Sequence, residues 1–327
     1  MKAKILVYVL PALILTTIQL AEAQQPPTKT PRIGYLMTRS LDPVRTEALH
    51  QGLREFGYVE GKTIVIEWRS AEGKLDRLPA LVAELVRLKV DVIVTSGPTP
   101  TSAAKEATVT IPIVMTQDTD PVANGFVASL ARPGGNITGL STLAPELNGK
   151  RLELLKEIVP KLSRVGVFGT STQPGHAQSL KEVDLAAKAF GVKLQYVDVL
   201  SPKDIESAFR AASKERAEAV LMMAASAVAG DHRAEIVDLA VKSRLPVMYT
   251  FSSYVEAGGL MTYGVNITDL DRRAAMYVDK ILKGAKPADL PVEQPKKFEF
   301  IINLKAANQI GLTIPPNVLV RADRVIK

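Results

Sequence analysis

Small hydroxyl residues follow the predicted strands of this sequence at points where they could hold a solute through hydrogen bonds. At residues 90–108, an apolar β-branched run stops at Thr-Ser-Gly-Pro-Thr, and a helix-forming stretch follows. Ligands of open parallel sheets bind beyond the carboxyl ends of the strands. The free N–H groups at the start of the next helix also favour a carboxylate or another anion. The segment therefore predicts one wall of a binding site.

Two carboxylates, Asp118 and Asp120, lie in one loop after the next predicted strand. Paired carboxylates can act as a general acid and a general base. Alternatively, an aspartate at this place caps the helix that is predicted after Pro121. We favour a third role for Asp120, in which its carboxylate accepts hydrogen bonds from a cationic group of the solute.

Catalytic and metal-binding motifs are missing from the sequence. There is no cysteine, and the three histidines, His50, His176 and His232, lie far apart. No H-E-x-x-H, C-x-x-C or G-x-S-x-G motif is present. The glycine-rich stretch at 132–139 lacks nucleotide-binding spacing, and its Gly134-Gly135 pair predicts a tight turn out of the first half of the chain. The sequence thus predicts no catalytic residues, no metal site and no cofactor.

Apolar runs of five or six residues alternate with helical patterns, which indicates βαβ units and parallel sheets. Strands are predicted at 32–38, 63–68, 90–94 and 111–115, and helices at 44–56, 75–88, 102–107 and near 122–130. The predicted fold class is therefore α/β. A length of 327 residues is typical of two domains.

The second half of the chain repeats the first at offsets of about 130 to 134 residues. Residues 164–170, RVGVFGT, echo residues 32–38, RIGYLMT, and a Phe-Gly pair closes the following helix in both halves. The later segments LPVMYT and IPIVMT match in the same order. This repetition predicts two similar lobes that face each other across one cleft, with strand ends on both walls.

The residues expected to bind the solute share a position just beyond a predicted strand. They are Thr38, Arg39, Ser40, Ser96, Gly97, Pro98, Thr99 and Asp120 in the first half, and Thr170, Thr172, Ser226, Tyr249 and Phe251 in the second. Each Ser or Thr beyond a strand has an alternative role as the N-cap of the next helix, and the two roles can coexist.

The segments beyond residue 257 are additional to the elements that the two repeated lobes require. They comprise a strand near 260–266, a helix at 269–282, an extended passage with three prolines, a strand at 298–302 and a last helix at 305–310. We expect these segments to pass back between the lobes and form a hinge. The first lobe would then comprise residues 31–142 and 267–292, and the second 143–266 and 293–327.

The N-terminus has the pattern of a secretory signal peptide. A positive start precedes an apolar stretch at 5–20, and Ala21-Glu22-Ala23 has the spacing of a cleavage site. A membrane anchor is the alternative, but the stretch is short for a span. We therefore expect a signal peptide at 1–23 and a periplasmic protein cleaved after Ala23.

The net charge of +7 is spread along the chain, with Lys and Arg scattered among Asp and Glu, and aromatic residues make up only 5%. Nucleic-acid binding is not expected from such a pattern. A mild basic bias suits an anionic ligand or contact with an acidic membrane surface.

Four long phrases resemble the ABC-transporter substrate-binding proteins of the tryptophan/tyrosine-type group. They are IPIVMTQDTDPVANGFVASLARPGGNITGLS, GKRLELLKEIVPKLSRVGVFG, GGLMTYGVN and RRAAMYVDKILKGAKPADLPVEQPKKFEFIINLKAANQIGLTIPP. The resemblance runs from about residue 31 to the C-terminus. It implies a type I periplasmic-binding-protein fold, with two Rossmann-like lobes, three crossings and a ligand in the cleft. By motif, Ser96 to Thr99 and Asp120 fall at expected cleft positions.

The sequence leaves the solute open. This chain departs from the group's pattern at 116–119 and again at 223–226, so the solute is an amino acid or another small organic compound, such as an aromatic or carboxylate compound. The leading hypothesis is a monomeric protein that captures the solute and delivers it to an ABC permease in the inner membrane. A ligand sensor that serves a membrane-bound signalling receptor is the alternative, and an enzyme on the same scaffold is the weakest reading.

Overall fold

The computed structural model describes residues 29–223 and 230–327, and their strands form two β-sheets. The predicted signal peptide and the predicted site residue Ser226 lie outside the described residues. Residues 31–327 belong to one unit, in which each sheet is the centre of one lobe.

The first sheet has the order β2-β1-β3-β4-β5, and all its strand pairs are parallel. Its strands are β1 (Arg32–Met37), β2 (Val65–Ser70), β3 (Val92–Ser96), β4 (Ile113–Asp118) and β5 (Ile137–Ser141). The helices between them are α1 (Pro43–Glu55), α2 (Leu78–Arg87) and α3 (Pro98–Ala107). Every residue of β3, β4 and β5 is buried, as expected for parallel strands covered on both faces.

The second sheet has the order β12-β11-β10-β9-β8-β6-β7, and only β10 and β11 pair in antiparallel fashion among the described strands. Its strands are β6 (Arg164–Gly169), β7 (Lys193–Asp198), β8 (Ala219–Met222), β9 (Val247–Tyr249), β10 (Met261–Val265), β11 (Phe298–Asn303) and β12 (Arg324–Ile326). The remaining helices are α4 (Ala144–Ile158), α5 (His176–Phe190), α6 (Lys203–Lys214), α7 (Arg233–Lys242), α8 (Ser252–Glu256), α9 (Ile267–Leu282), α10 (Leu304–Gln309) and α11 (Pro316–Leu319). The two sheets repeat one topology, since β2-β1-β3-β4 corresponds to β7-β6-β8-β9.

The described chain passes between the two sheets three times. It leaves the first sheet after β5, because α4 packs on α5 and on strands of the second sheet. It returns after β10, because α9 packs along α1 and on β3, β4 and β5. It crosses again between the short 3-10 helix at Pro287–Asp289 and β11. These crossings are the hinge segments that the sequence predicts.

Helix α9 closes one face of the first sheet. Leu270, Ala274 and Val278 are buried on that face. The backbone of α9 comes so close to α1 at Gly52 that a Cβ atom there would overlap the carbonyl oxygen of Arg272. The glycine is therefore needed for the two helices to pack.

Several predicted boundaries are wrong, and the chain shows why. The strand predicted at 90–94 is β3 and begins two residues later, because the N–H of Val90 still donates to Leu85 at the end of α2. The helix predicted near 122–130 does not form, because the N–H groups of Phe126 and Val127 both donate back to Pro121 and close a single turn. The chain does not leave the first sheet at Gly134, since β5 follows. The helix at 305–310 is not the last element either, because α11 and β12 follow it.

Candidate solute-binding site

A cavity lies between the lobes at the carboxyl ends of the parallel strands. It holds about 690 Å³ of atom-free space, counted out into its open mouth. The first lobe contributes Thr38, Arg39, Ser96, Gly97, Pro98, Thr99, Pro100, Gln117 and Thr119, and the rest of the wall is Thr142, Ala144, Leu147, Arg151, Gln173, Thr250, Phe251 and Val265.

The turn from β3 into α3 forms one wall of the cavity. Gly97 has φ of +102°, a backbone conformation that side chains other than glycine rarely adopt. Thr101 Oγ1 donates to the carbonyl of Gly97 at 2.8 Å and lies 2.7 Å from Thr95 Oγ1. These bonds occupy the two buried threonines and leave Ser96 and Thr99 at the cavity.

A buried polar network supports this wall from behind. Arg45 donates to Asp271 of α9 through Nε at 2.6 Å and Nη2 at 2.9 Å, and Tyr35 donates to the same carboxylate at 3.1 Å. The amide oxygen of Gln117 accepts from both Nη atoms of Arg45 at 3.2 Å and from Ser96 Oγ at 2.9 Å. The opposite orientation of the amide would place its NH₂ group against a guanidinium, which can only donate. Asp271 therefore positions two cavity residues without touching the cavity.

The opposite wall is built by α4 and by the ends of β9 and β10. Arg151 of α4 is only 3% exposed, and its Nε donates to the carbonyl of Tyr263 at 2.7 Å while Nη1 donates to Asn148 Oδ1 at 2.8 Å. Burial lowers the pKa of Arg151 to about 10. The buried hydroxyl of Thr250 has no hydrogen-bond partner among the described residues. A buried hydroxyl at a cavity wall is available to a solute.

The lobes touch each other around the cavity mouth. Arg39 of the first lobe lies 5.9 Å from the ring centre of Phe251 and packs against the backbone of Gly230 in the second lobe. A Cβ atom at Gly175 of the second lobe would lie 2.5 Å from Thr119 Oγ1 of the first. Such close approaches across the cleft indicate that the lobes are shut.

The structure brings together seven of the predicted site residues, namely Thr38, Arg39, Ser96, Gly97, Pro98, Thr99 and Phe251. The other described ones lie elsewhere. Ser40 is exposed beside a neighbouring hollow, and Thr172 is exposed on the surface. Thr170 donates its hydroxyl to the carbonyl of Val199 at 2.9 Å. Tyr249 points into the core, where its ring stacks on Tyr254 with 4.9 Å between ring centres.

Asp120 does not line the cavity, because its carboxylate is used in the turn that follows it. Asp120 Oδ1 accepts from the N–H of Ala123 at 3.0 Å, which is the capping role held open above. Its neighbour Asp118 is fully buried, and Asp118 Oδ1 accepts from the N–H of Asp120 and from Asn124 Nδ2. Burial raises the pKa of Asp118 to about 7, although these hydrogen bonds act to lower it.

Sequence reasoning missed Arg151, and a usable signal was present. Position 151 is four residues beyond Leu147 and directly precedes Leu152, so it lies on the buried side of an amphipathic helix. A charged residue at a buried helical position is unusual and points to a polar contact.

The two parallel-sheet lobes and three crossings are those of a type I periplasmic binding protein, which confirms the predicted fold class. The cavity between the lobes is where such a protein holds its ligand. Residues 38–326 match the family model of the ABC transporter substrate binding proteins, and the chain belongs to this family. Members of the family are substrate-binding proteins and not enzymes, and they are extracytoplasmic. The expectation that this chain is not an enzyme is confirmed by its family.

Individual relatives are similar over most of the chain. A tyrosine-binding protein of Clostridioides difficile is 26% identical over 291 residues, which are 88% of this chain and 83% of that protein. A crystal structure of a domain in complex with L-Trp from Streptococcus pneumoniae is 27% identical with a TM-score of 0.84, covering 91% of this chain and 100% of that one. A crystal structure of a conserved domain protein from Vibrio cholerae is 31% identical with a TM-score of 0.85, at the same coverage.

The helices of the described residues include none that is both long enough and apolar enough to cross a membrane.

Proposed function

We propose that this protein is the periplasmic solute-binding component of an ABC importer. It captures one small organic solute, an amino acid or an aromatic or carboxylate compound, and delivers it to a permease in the inner membrane. The observation that carries the proposal is the cavity, which is lined by strand ends and helix starts of both lobes. The tyrosine-binding relative and the complex with L-Trp support an amino acid as one candidate.

Contacts with both walls explain how the solute would close the protein. The three crossings let the lobes rotate as rigid bodies, because only a few residues outside the sheets need to change their backbone angles. A solute that touches Thr99 on one wall and Thr250 on the other binds more tightly to the shut form, and this difference in affinity drives closure. Excluding water from the closed cavity strengthens each of these hydrogen bonds.

The remaining parts of the proposal follow from the sequence. Residues 1–23 are a signal peptide that is removed after Ala23, and the protein acts as a monomer. The first lobe comprises 31–142 and 267–292, and the second comprises 143–266 and 293–327. The packing of α9 on the first sheet and of β11 in the second sheet supports this division.

Native mass spectrometry of the freshly purified protein, followed by calorimetry on the stripped protein with the solute that is released, tests the proposal. Solution scattering should show a smaller radius of gyration once that solute is added. Thr99→Ala should weaken binding by about 5- to 10-fold, the effect of one lost buried hydrogen bond.

The matched control is Thr172→Ala, because Thr172 is exposed and outside the cavity. It should leave the dissociation constant unchanged. An unaltered affinity in Thr99→Ala would argue against this cavity as the binding site. A radius of gyration that does not change when the solute is added would argue against capture by closure.

A further inference from the structure

Two arginines line the cavity, and no acidic side chain of the described residues does. Arg39 follows β1 in the first lobe, and Arg151 lies on α4, which packs on the second sheet. The two guanidinium groups therefore approach the cavity from opposite lobes.

Arg151 is a buried cation without a counter-ion. Its two hydrogen-bond acceptors, the carbonyl of Tyr263 and the amide oxygen of Asn148, are neutral, and it makes no ion pair within the described part of the chain. Burying a charge without a partner is costly unless an opposite charge is supplied. Since Arg151 faces the cavity, a bound anion can supply that charge.

Arg39 is similarly available. Within residues 29–223 and 230–327, its guanidinium makes no hydrogen bond or ion pair; it lies over the ring of Phe251 and against the backbone of Gly230. Burial lowers the pKa of Arg39, and nearby Arg45 and Arg233 lower it further, while Tyr254 and Asp231 act to raise it. Asp231 and Asp42 line the hollow on the far side of Arg39 together with those two arginines, so the carboxylates nearest Arg39 lie outside the cavity.

The two carboxylates that neighbour the cavity residues Gln117 and Thr119 in sequence do not line the cavity. Asp118 is fully buried and does not line the cavity; its Oδ1 is bonded to its own loop, and its Oδ2 has no hydrogen-bond partner among the described residues. Asp120 caps the next turn. The segment 224–229, whose sequence is Ala-Ala-Ser-Ala-Val-Ala, has no acidic residue to contribute. An ammonium group in the cavity would meet two like charges and no carboxylate.

Two helix starts add to the positive potential. The first turns of α3 and α4, which have 10 and 15 residues, both line the cavity at Pro98–Thr99 and Ala144. The N-terminus of a helix carries a partial positive charge that favours anions.

We infer that the solute is an organic carboxylate that lacks an ammonium group, with its carboxylate held between Arg39 of one lobe and Arg151 of the other. The inference rests on the proposed function and narrows its solute class. Bidentate contacts between guanidinium and carboxylate are among the strongest hydrogen bonds in proteins. A single anion that binds both arginines also links the two lobes, so it favours the shut form directly.

Calorimetry on the stripped protein with matched pairs of compounds tests the inference. The pairs are 3-phenylpropanoate and L-phenylalanine, 3-(indol-3-yl)propanoate and L-tryptophan, and 4-methylpentanoate and L-leucine, which differ only by the α-ammonium group. At least one of the acids should bind. In each pair of which a member binds, the acid should bind about tenfold or more tightly than the amino acid, because the ammonium group of the amino acid is repelled by the two arginines and finds no carboxylate to accept its hydrogen bonds.

Arg39→Gln should reduce the affinity for the bound acid by roughly 10- to 100-fold, while Arg210→Gln, an exposed change on α6, should have no effect. Arg39 makes no hydrogen bond with the described residues, so the variant is expected to fold. Arg151→Lys keeps the positive charge but cannot make a bidentate contact with a carboxylate, so it should weaken acid binding less than Arg39→Gln does.

An amino acid that binds as tightly as its paired acid would overturn the inference and leave the proposed capture function intact. An unchanged affinity for the acid in Arg39→Gln would overturn it as well. Failure of all three acids to bind also rejects it. In that last case, closure around a neutral or zwitterionic solute released from the purified protein would keep the proposed function, and no closure with any solute would reject both.

Discussion

Replacing Asp271 by asparagine tests whether the buried network behind the cavity wall stabilises the first lobe. The carboxylate of Asp271 is completely buried and accepts three hydrogen bonds, two from Arg45 and one from Tyr35. Arg45 itself is only 14% exposed in its side chain. Although burial alone would lower it, the charge of Asp271 raises the pKa of Arg45.

The expected cost is large because Asp271→Asn leaves a buried cation unpaired. Removing one partner of a buried ion pair typically costs about 3–5 kcal/mol. The amide can keep one acceptor atom, but its NH₂ group then faces donors of Arg45. For a lobe of about 150 residues, a loss of about 3 kcal/mol lowers the melting temperature by roughly 6–12 °C.

The single tryptophan of the chain makes the measurement specific to the first lobe. Trp68 lies on β2, and its ring centre is 5.0 Å from that of Tyr35. Its fluorescence during thermal or urea unfolding should therefore follow the lobe that contains Asp271.

The control for this prediction is Asp269→Asn on the same helix, because Asp269 is 45% exposed and pairs with Arg272 at the surface. Exposed pairs contribute less than about 1 kcal/mol. A loss below about 1 kcal/mol in Asp271→Asn would refute the reasoning. The double variant Arg45→Leu with Asp271→Leu should lose less unfolding free energy than the sum of the two single variants. A loss equal to that sum would also refute the reasoning.

Two further changes probe the wall and the first sheet. Gly139→Ala should lower the unfolding free energy by a few kcal/mol in a melting experiment, because φ is +132° and the new Cβ would overlap the backbone of Met115. The control is Gly135→Ala, which should cost little because there is open space around Gly135. Equal losses in the two variants would contradict the argument. The pKa of Asp118 is about 7 in the folded protein, against an ordinary value of 3.8. Between these two pH values the folded state therefore binds more protons than the unfolded state, and the unfolding free energy of the protein should decrease as the pH rises through this interval. Asp118→Asn cannot titrate, and an identical pH dependence in both proteins would show that this carboxyl is not responsible.

The sequence predicts the repeat and the strand ends well because both depend on local patterns. Apolar runs followed by small polar residues mark β1, β3 and β9, and the cavity does lie at their carboxyl ends. The same pattern marks β6, but Thr170 and Thr172 beyond that strand lie outside the cavity. Boundaries are less predictable, since the start of β3 depends on the last turn of α2, where Lys89 takes a positive φ of 52°.

Side-chain direction limits what the sequence can say about the cavity. Tyr249 and Thr250 are adjacent, and alternation along a strand sends one into the core and the other towards the cleft. The pattern alone does not fix which one faces the solute. Thr250 lines the cavity in the structure, while Tyr249 packs on Tyr254. The helical pattern of α4 marks Arg151 as a charged residue on the buried side, but it does not show that this side borders the cavity.

The late position of α9 in the chain has a consequence for how the protein is made. Until residues 267–282 leave the ribosome, the apolar face of the first sheet that they cover has no partner, although all five of its strands have been synthesised by residue 141. An early, complete folding of that lobe is therefore prevented until most of the polypeptide exists. Under the export that we propose, the chain crosses a membrane before it folds, and this delay would help to keep its N-terminal half unfolded until then.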